Sequence, residues 1–174
     1  MNEVRENYIF AIDPGNEQSA YCLLDQSLRP IRFGKVDNFE LLNIINETFV
    51  LVRTVEGKFI SNIPNIAIEM VASYGMPVGA SVFETCVWIG RFIQAIEEQS
   101  NGKVKLIYRK DEKMCLCGSM KAKDSNIRQA LIDRFGVVGT KKNPGWFYGF
   151  RADIWSAYAV GIAYHDLYLE HSYV

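Results

Sequence analysis

The sequence predicts an α/β fold: a three-strand antiparallel meander, extended by two parallel strands, forms a mixed five-stranded sheet with helices on both faces. Three features carry this expectation. Three short runs of strand formers follow one another closely near the start of the chain, as a meander requires. Two later strand-like runs are each preceded by a segment of helical period, which is how parallel strands are joined. Further helical segments then complete the chain.

The first run, Tyr8-Ile9-Phe10-Ala11-Ile12, is almost continuously apolar and ends at Asp13-Pro14-Gly15, where proline and glycine turn the chain. Ala20 to Leu24 and Ile31 to Val36 read as the second and third strands. Asn38 is placed to cap a helix from Phe39 to about Val52, with Leu42, Ile45, Phe49 and Val52 on one face. Asn65 to Met70 is a fourth strand that again ends on an acid, Glu69. After a loop from Ser73 to Gly79, Ser81-Val82-Phe83-Glu84 has the form of a capping box and opens a helix to about Ser100, stopped by Asn101-Gly102. Its stripe of Val82, Cys86, Ile89, Ile93 and Ile96 is widened by Phe83, Val87 and Phe92, so this helix belongs in the core or in a subunit interface. Val104 to Tyr108 is the fifth strand, and Asp111 to Cys117 a short helix. Ser125 to Phe135 is a helix ended by Gly136, Thr140 to Phe150 an irregular loop, and Ala152 to Leu169 the apolar final helix. Nothing resembling a linker or a repeat divides the chain, so residues 1–174 read as one domain.

Composition excludes several classes. No apolar run reaches the ~18 residues of a membrane span. Met1 to Asn7 is polar, unlike a signal peptide, and the expected location is cytoplasmic. Cys22, Cys86, Cys115 and Cys117 lack the paired spacing of a zinc finger and read as reduced thiols. His165 and His171 read as surface or packing residues. The net charge is −1, but its distribution is uneven. Residues 1–99 hold 7 Lys/Arg against 13 Asp/Glu, whereas residues 100–153 hold 12 against 5. A local basic surface of that kind suits phosphate backbones. Lys121, Lys123, Arg128, Lys141, Lys142 and Arg151 are the candidates for phosphate contact, and Tyr74 serves either stacking on a base or packing. Trp146, Phe147 and Tyr148 serve either stacking or the packing of their loop.

Two buried-looking strands that each end in an acid demand a chemical reason, because an isolated buried carboxylate costs several kcal/mol. Asp13 and Glu69 are those acids, and Asp153 supplies a third in the first turn of the apolar final helix. Carboxylates brought together repel one another, and a hard divalent cation such as Mg²⁺ or Mn²⁺ relieves the repulsion. Two such ions support phosphodiester hydrolysis.

These residues resemble a known family. Ile9-Phe10-Ala11-Ile12-Asp13-Pro14-Gly15 is similar to the first motif of RuvC-type Holliday junction resolvases, and Ile66-Ala67-Ile68-Glu69 to the second. Asp153 with Ala157, Ala159 and Gly161 resembles the acidic, alanine-rich last helix. Ser125-Asn126-Ile127-Arg128-Gln129-Ala130-Leu131 stands where the family has a Ser-initiated helix preceded by a basic residue, here displaced to Lys123. The wording Y-G-M-P-V-G, K-D-S-N-I-R-Q-A-L and K-K-N-P-G looks most like the bacteriophage branch. The resemblance spans nearly the whole chain. It implies an RNase H-like fold, a homodimer, and nicking of four-way DNA junctions by an enzyme using two Mg²⁺ or Mn²⁺ ions and no small-molecule cofactor. It assigns metal binding and catalysis to Asp13, Glu69 and Asp153. The second acid of the last helix is absent, since Ser156 stands there; Asp124 either completes the catalytic set or caps the helix that follows it.

Three alternatives stand beside that expectation. The same fold can serve a nuclease acting on flaps, nicked duplex or RNA, since the acids define the chemistry and not the substrate. A catalytically inactive binder of branched DNA is a second. An ATP-binding fold opened by D-x-G needs two such domains, for which 174 residues are too few.

Overall fold

A computed structural model describes residues 8–51, 64–99 and 104–170. Five strands form one sheet: β1 (Ile9–Asp13), β2 (Gln18–Leu24), β3 (Pro30–Asp37), β4 (Asn65–Met70) and β5 (Val104–Tyr108). The helices are α1 (Asn38–Leu51), α2 (Ala80–Gln99), α3 (Arg109–Cys117), α4 (Asp124–Phe135) and α5 (Ile154–Tyr164). A π-helical turn over His165–Leu169 extends α5. The strand order is β3-β2-β1-β4-β5. β1 pairs antiparallel with β2 and parallel with β4, β2 pairs antiparallel with β3, and β4 pairs parallel with β5. The mixed sheet of meander plus parallel strands is therefore as the sequence predicts. Val52, Ser100, Asn101-Gly102 and His171 lie outside the described residues.

Period-two alternation divides the core in two. Phe10, Ile12, Ile66 and Ile68 face α1 and α2, where they pack with Leu41, Ile45, Ile89, Phe92 and Ile96. Ile9, Ala11, Cys22 and Ala67 face α5 and, with Ile107, join a cluster holding Ile127 and Leu131 of α4. The small residues in that second set admit α5 closely. A Cβ added at Gly161 would lie 2.6 Å from Leu24 Cδ1 and 3.2 Å from Ala11 Cβ. Helix α5 is buried along almost its full length, from Ile154 to Ala163.

Local differences from the expected boundaries have physical causes. The first strand runs on to include Asp13, because Asp13 still pairs with Ala20. Helix α1 begins at Asn38, but its cap bond comes from Asp37, whose Oδ1 accepts from the Phe39 amide at 2.8 Å. The Asn38 side chain instead binds the D-P-G turn. The last helix starts later than predicted, at Ile154, because Ala152 adopts a left-handed φ of 43° that turns the chain just before it. Phe147 is fully buried and Trp146 is half-buried, its Nε1 donating to the Tyr158 hydroxyl at 3.1 Å. Both are packing residues of the loop; Tyr148 remains exposed. All four cysteines are free thiols.

Candidate active site

Strand register brings the first two acids together. Ile12 of β1 stands opposite Ile68 of β4 in a parallel pair, so Asp13 and Glu69, the next residues, emerge side by side at the carboxyl ends of neighbouring strands. Alternation points both toward the α5 face, on the side of Ala11 and Ala67. The two carboxyls are close enough for each to act on the titration of the other. The turn after Asp13 is rigid. Asn38 donates its Nδ2 to the Gly15 carbonyl at 2.9 Å and accepts from Ser19 Oγ at 2.6 Å, while the Gly15 amide donates to Ser19 Oγ at 3.0 Å. Gly15 has no room for a side chain, since a Cβ would sit 2.2 Å from the Gln18 carbonyl oxygen.

Asp153 approaches from the other layer. It occupies the N-cap position of α5, not the first turn the sequence predicts, because the left-handed Ala152 sets the helix start one residue beyond it. Its carboxylate is half-exposed and accepts from Lys35 Nζ of β3 at 2.6 Å. It is close enough to Asp13 to raise that group further. Lys35 thus holds Asp153 to one side of the acid pair. Among the described residues, the one group of three His, Cys, Asp or Glu ligand atoms within 4.8 Å of one another is His165, Asp166 and Glu170, beyond the opposite end of α5. There Arg134 already binds Asp166 through two bonds of 2.5 and 2.9 Å, and His165 pairs with it at 2.9 Å. A guanidinium meets that cluster's need for a cation.

The electrostatics mark Asp13 and Glu69 as the costly groups. Burial, then the neighbouring Glu69 and Asp153 charges, pushes the Asp13 carboxyl up to about 8 from an ordinary 3.8. Burial likewise raises Glu69, against the lowering effects of Arg109 and Asp13. Two side chains of α3 that the sequence did not suggest complete the cluster. Arg109 follows β5 directly, and its Nη1 donates to Glu112 Oε1 at 2.5 Å, one helical turn on. Glu112 is fully buried, and burial pushes its carboxyl up to about 7 despite Arg109. The other edge of Arg109 binds Asp124, whose side chain is 85% exposed at the first turn of α4. The available sequence signal was a strand-end arginine with an acid at i+3, a spacing common on solvated helices.

Several of the remaining candidates border three clefts that share lining residues. Asp124, Ser125, Arg128, Asp153 and Ser156 line one of about 400 Å³ together with Arg109. Arg128 lies over the Trp155 ring at 4.7 Å, which fixes its direction. Arg151 and Lys35 line a second, of about 320 Å³, and Tyr74 a third, of about 370 Å³, with Arg109, Lys110, Lys113 and Met120. Tyr74 is exposed and holds a left-handed φ of 47°. Lys121 and Lys123 are exposed just before α4, where the Lys123 amide donates to Asn126 Oδ1 at 2.9 Å. Lys141 and Lys142 are exposed in the loop before Trp146.

Carboxylate oxygens of the kind that Asp13 and Glu69 place side by side suit a hard divalent cation, whereas Asp153, held by Lys35, does not join them within 4.8 Å. The repulsion between Asp13 and Glu69 should be measurable without any metal. Because the folded-state value of Asp13 lies above its unfolded value, the folded chain binds the extra proton, and stability falls as pH rises from about 4 through about 8. In chelator, Asp13→Asn should melt higher than the wild type at pH 8, by at least the ~2–4 °C that 1 kcal/mol represents in a chain of this size. The gap should shrink towards pH 5. Equal melting temperatures at both pH values would mean that Asp13 is not under this strain.

No protein-family model matches the chain, and no curated protein matches it by sequence. Solved structures do. The chain is similar to Thermus thermophilus RuvC at 15% identity with a TM-score of 0.63, over 95% of this chain and 96% of that one. It is similar at 14% identity and the same TM-score to T. thermophilus RuvC in complex with Holliday junction substrate, over 92% and 93% of the two chains. The chain therefore has the fold of RuvC, an RNase H-like mixed sheet with helices on both faces.

Proposed function

We propose that this chain is a metal-dependent, structure-selective endonuclease that resolves four-way DNA junctions and related branched DNA by paired nicking. The observation that carries the reading is the Asp13–Glu69 pair on adjacent parallel strands, with Asp153 entering beside it from α5. The fold shared with a RuvC that was solved on Holliday junction substrate supports the choice of DNA. The motif wording supports the bacteriophage branch, acting in the cytoplasm of a bacterial or infected host cell.

In this reading Asp13, Glu69 and Asp153 hold Mg²⁺ or Mn²⁺, two ions in all, whose chemistry when bound is to activate water and to stabilise charge on the phosphodiester. The chain's own residues prepare that state. To hold a cation, Asp13, whose carboxyl is raised by burial, would have to lose its proton, and Asp153 would have to leave Lys35. Arg128, steadied on Trp155, and Lys121 and Lys123 beside it take backbone phosphates on one side of the acids. Arg151 and the freed Lys35 take them on the other, with Lys141 and Lys142 farther along the chain. Tyr74 offers its exposed ring to an unstacked base at the branch point. Asp124, which lines the same cleft as Asp153, enters through its bond to Arg109.

Matched four-way, three-way, flap, linear and RNA–DNA substrates, incubated with Mg²⁺ or Mn²⁺ and mapped for cuts, test this. Symmetric nicks near the centre of the four-way junction are expected. Preferred cutting of flaps or of the hybrid would move the reading to another nuclease of this fold, and binding without any cut to an inactive binder. Asp13→Asn, Glu69→Gln and Asp153→Asn should each lower cleavage at least ~10²-fold while junction binding persists. A variant cutting at near wild-type rate removes that residue from the site.

Paired nicking on symmetry-related strands calls for two sites about a two-fold axis, so we also propose a homodimer. Helix α2 would form the interface, but not through the residues its buried stripe suggests. Ile89 and Phe92 belong to the monomer's own core. The outward stripe consists of Phe83 at 62% and Val87 at 63% exposure, beside Phe39 at 59%. Phe83→Asp with Val87→Asp should yield a folded monomer that nicks one strand but no longer cuts in pairs. A wild-type monomer in light scattering at micromolar concentration, with paired cuts intact, contradicts the dimer.

A further inference from the structure

The Arg109–Glu112 pair is unusual in its cost. Glu112 is entirely buried, and its second carboxylate oxygen, Oε2, has no hydrogen-bond partner among the described residues. Burying a charge with one oxygen unsatisfied costs several kcal/mol unless something is gained by it. What Glu112 does is fix the direction of Arg109. The i, i+3 spacing in the first turn of α3 puts both on one face, and the 2.5 Å bond occupies the inner edge of the guanidinium.

The direction is informative. In the β4–β5 register Glu69 stands opposite Ile107, so Arg109 leaves the carboxyl end of β5 two residues beyond the level of Glu69. The carboxyl ends of β1, β4 and β5 thus present Asp13, Glu69 and Arg109 in order across the sheet, where open α/β sheets bind their ligands. Arg109 lines both the cleft that holds Asp153 and the groove that holds Tyr74, and so stands where the two meet. Among the described residues its outer edge is occupied only by Asp124, from an exposed side chain on another element. An exposed carboxylate on a guanidinium is held weakly and can be replaced by another anion. A phosphate diester offers the same Nη2 an anionic oxygen in place of Asp124 Oδ1.

We infer that Arg109 is a phosphate-contacting residue of this site, aimed by the buried Glu112, and that Asp124 occupies its outer edge until DNA displaces it. The inference rests on the nuclease reading above and deepens it. Glu112 is then a positioning residue, and the exposed position of Asp124 serves exchange rather than permanent coordination. Arg109 also offsets the negative charge of Asp13 and Glu69 while no DNA is bound.

The test uses the full chain and a four-way junction. Binding is measured without divalent metal across a salt series, and single-turnover cleavage with Mg²⁺. Arg109→Gln should weaken binding about three- to tenfold and flatten the log–log salt slope by roughly 0.9, the loss of one phosphate contact. Cleavage at saturating protein should fall at least ~10²-fold, as when one preorganised donor to a reacting centre is removed. Arg109→Lys should restore the salt slope but not the full rate, because an ammonium lacks the planar fork that lets Glu112 hold one nitrogen while the other faces the phosphate. Glu112→Gln should keep the slope and lose about tenfold in rate. Asp124→Asn should tighten binding two- to fivefold. An Arg109→Gln chain that folds, as judged by circular dichroism, with slope and rate unchanged overturns the inference while leaving the nuclease reading intact. So does an Asp124→Asn chain that loses cleavage with unaltered binding. A wild type that binds no branched DNA at all overturns both.

Discussion

Strand register forces two carboxylates into contact, and the rest of the site is organised around that contact. Asp13 and Glu69 cannot move apart, because each is one residue beyond a backbone pair in the centre of the sheet. Their neighbours below are Ala11 and Ala67, fully buried beneath α5. A surface acid would turn to water; these two are held by ladders of hydrogen bonds on both sides. The repulsion is therefore stored in the folded state, as strain at functional sites commonly is. The cations placed around it answer that repulsion from two directions, Arg109 from β5 and α3, and Lys35 through Asp153 from β3.

The stability that carries this strain lies elsewhere. Helix α5 packs along the sheet at a distance only Gly161 permits, against Leu24 and Ala11. Phe147, Phe150 and Tyr158 interlock edge-to-face around its first turns, with Trp155 edge-on to Phe150 and tilted against Phe147, and the Tyr158 hydroxyl donates to the Leu28 carbonyl at 2.9 Å. Those contacts fix the N-terminal end of α5, and with it Asp153. Core packing, loop 140–150 and the third acid are thus one mechanical unit. The aromatic residues of that loop contribute through burial more than through exposed rings, Tyr148 excepted.

Much of this was legible in the sequence because its signals were local. Alternation and continuous apolar runs marked all five strands, and the order of strand and helix gave the mixed sheet. An acid at the end of a buried strand is visible in one dimension, so Asp13 and Glu69 could be named. What escaped depended on distance in three dimensions. Lys35 lies 118 positions from Asp153, and nothing in a β3 edge-strand lysine announces its partner. Arg109 and Glu112 look like an ordinary surface pair until the burial of Glu112 is known. The apolar breadth of α2 was read correctly, but which residues faced inward required the sheet: Ile89 and Phe92 turn to it, and Phe83 and Val87 away. The left-handed turn at Ala152, which moves Asp153 from the helix to its cap, has no glycine to signal it.

The central claim is that Asp13, Glu69 and Asp153 form a divalent-cation site. Anomalous diffraction from crystals of the protein grown with Mn²⁺ tests it most directly. The account predicts an anomalous peak between the Asp13 and Glu69 carboxylates, with Asp153 released from Lys35 and turned toward it. A strong peak at His165, Asp166 and Glu170, with nothing beside Asp13 and Glu69 and the Lys35–Asp153 pair still closed, would contradict it.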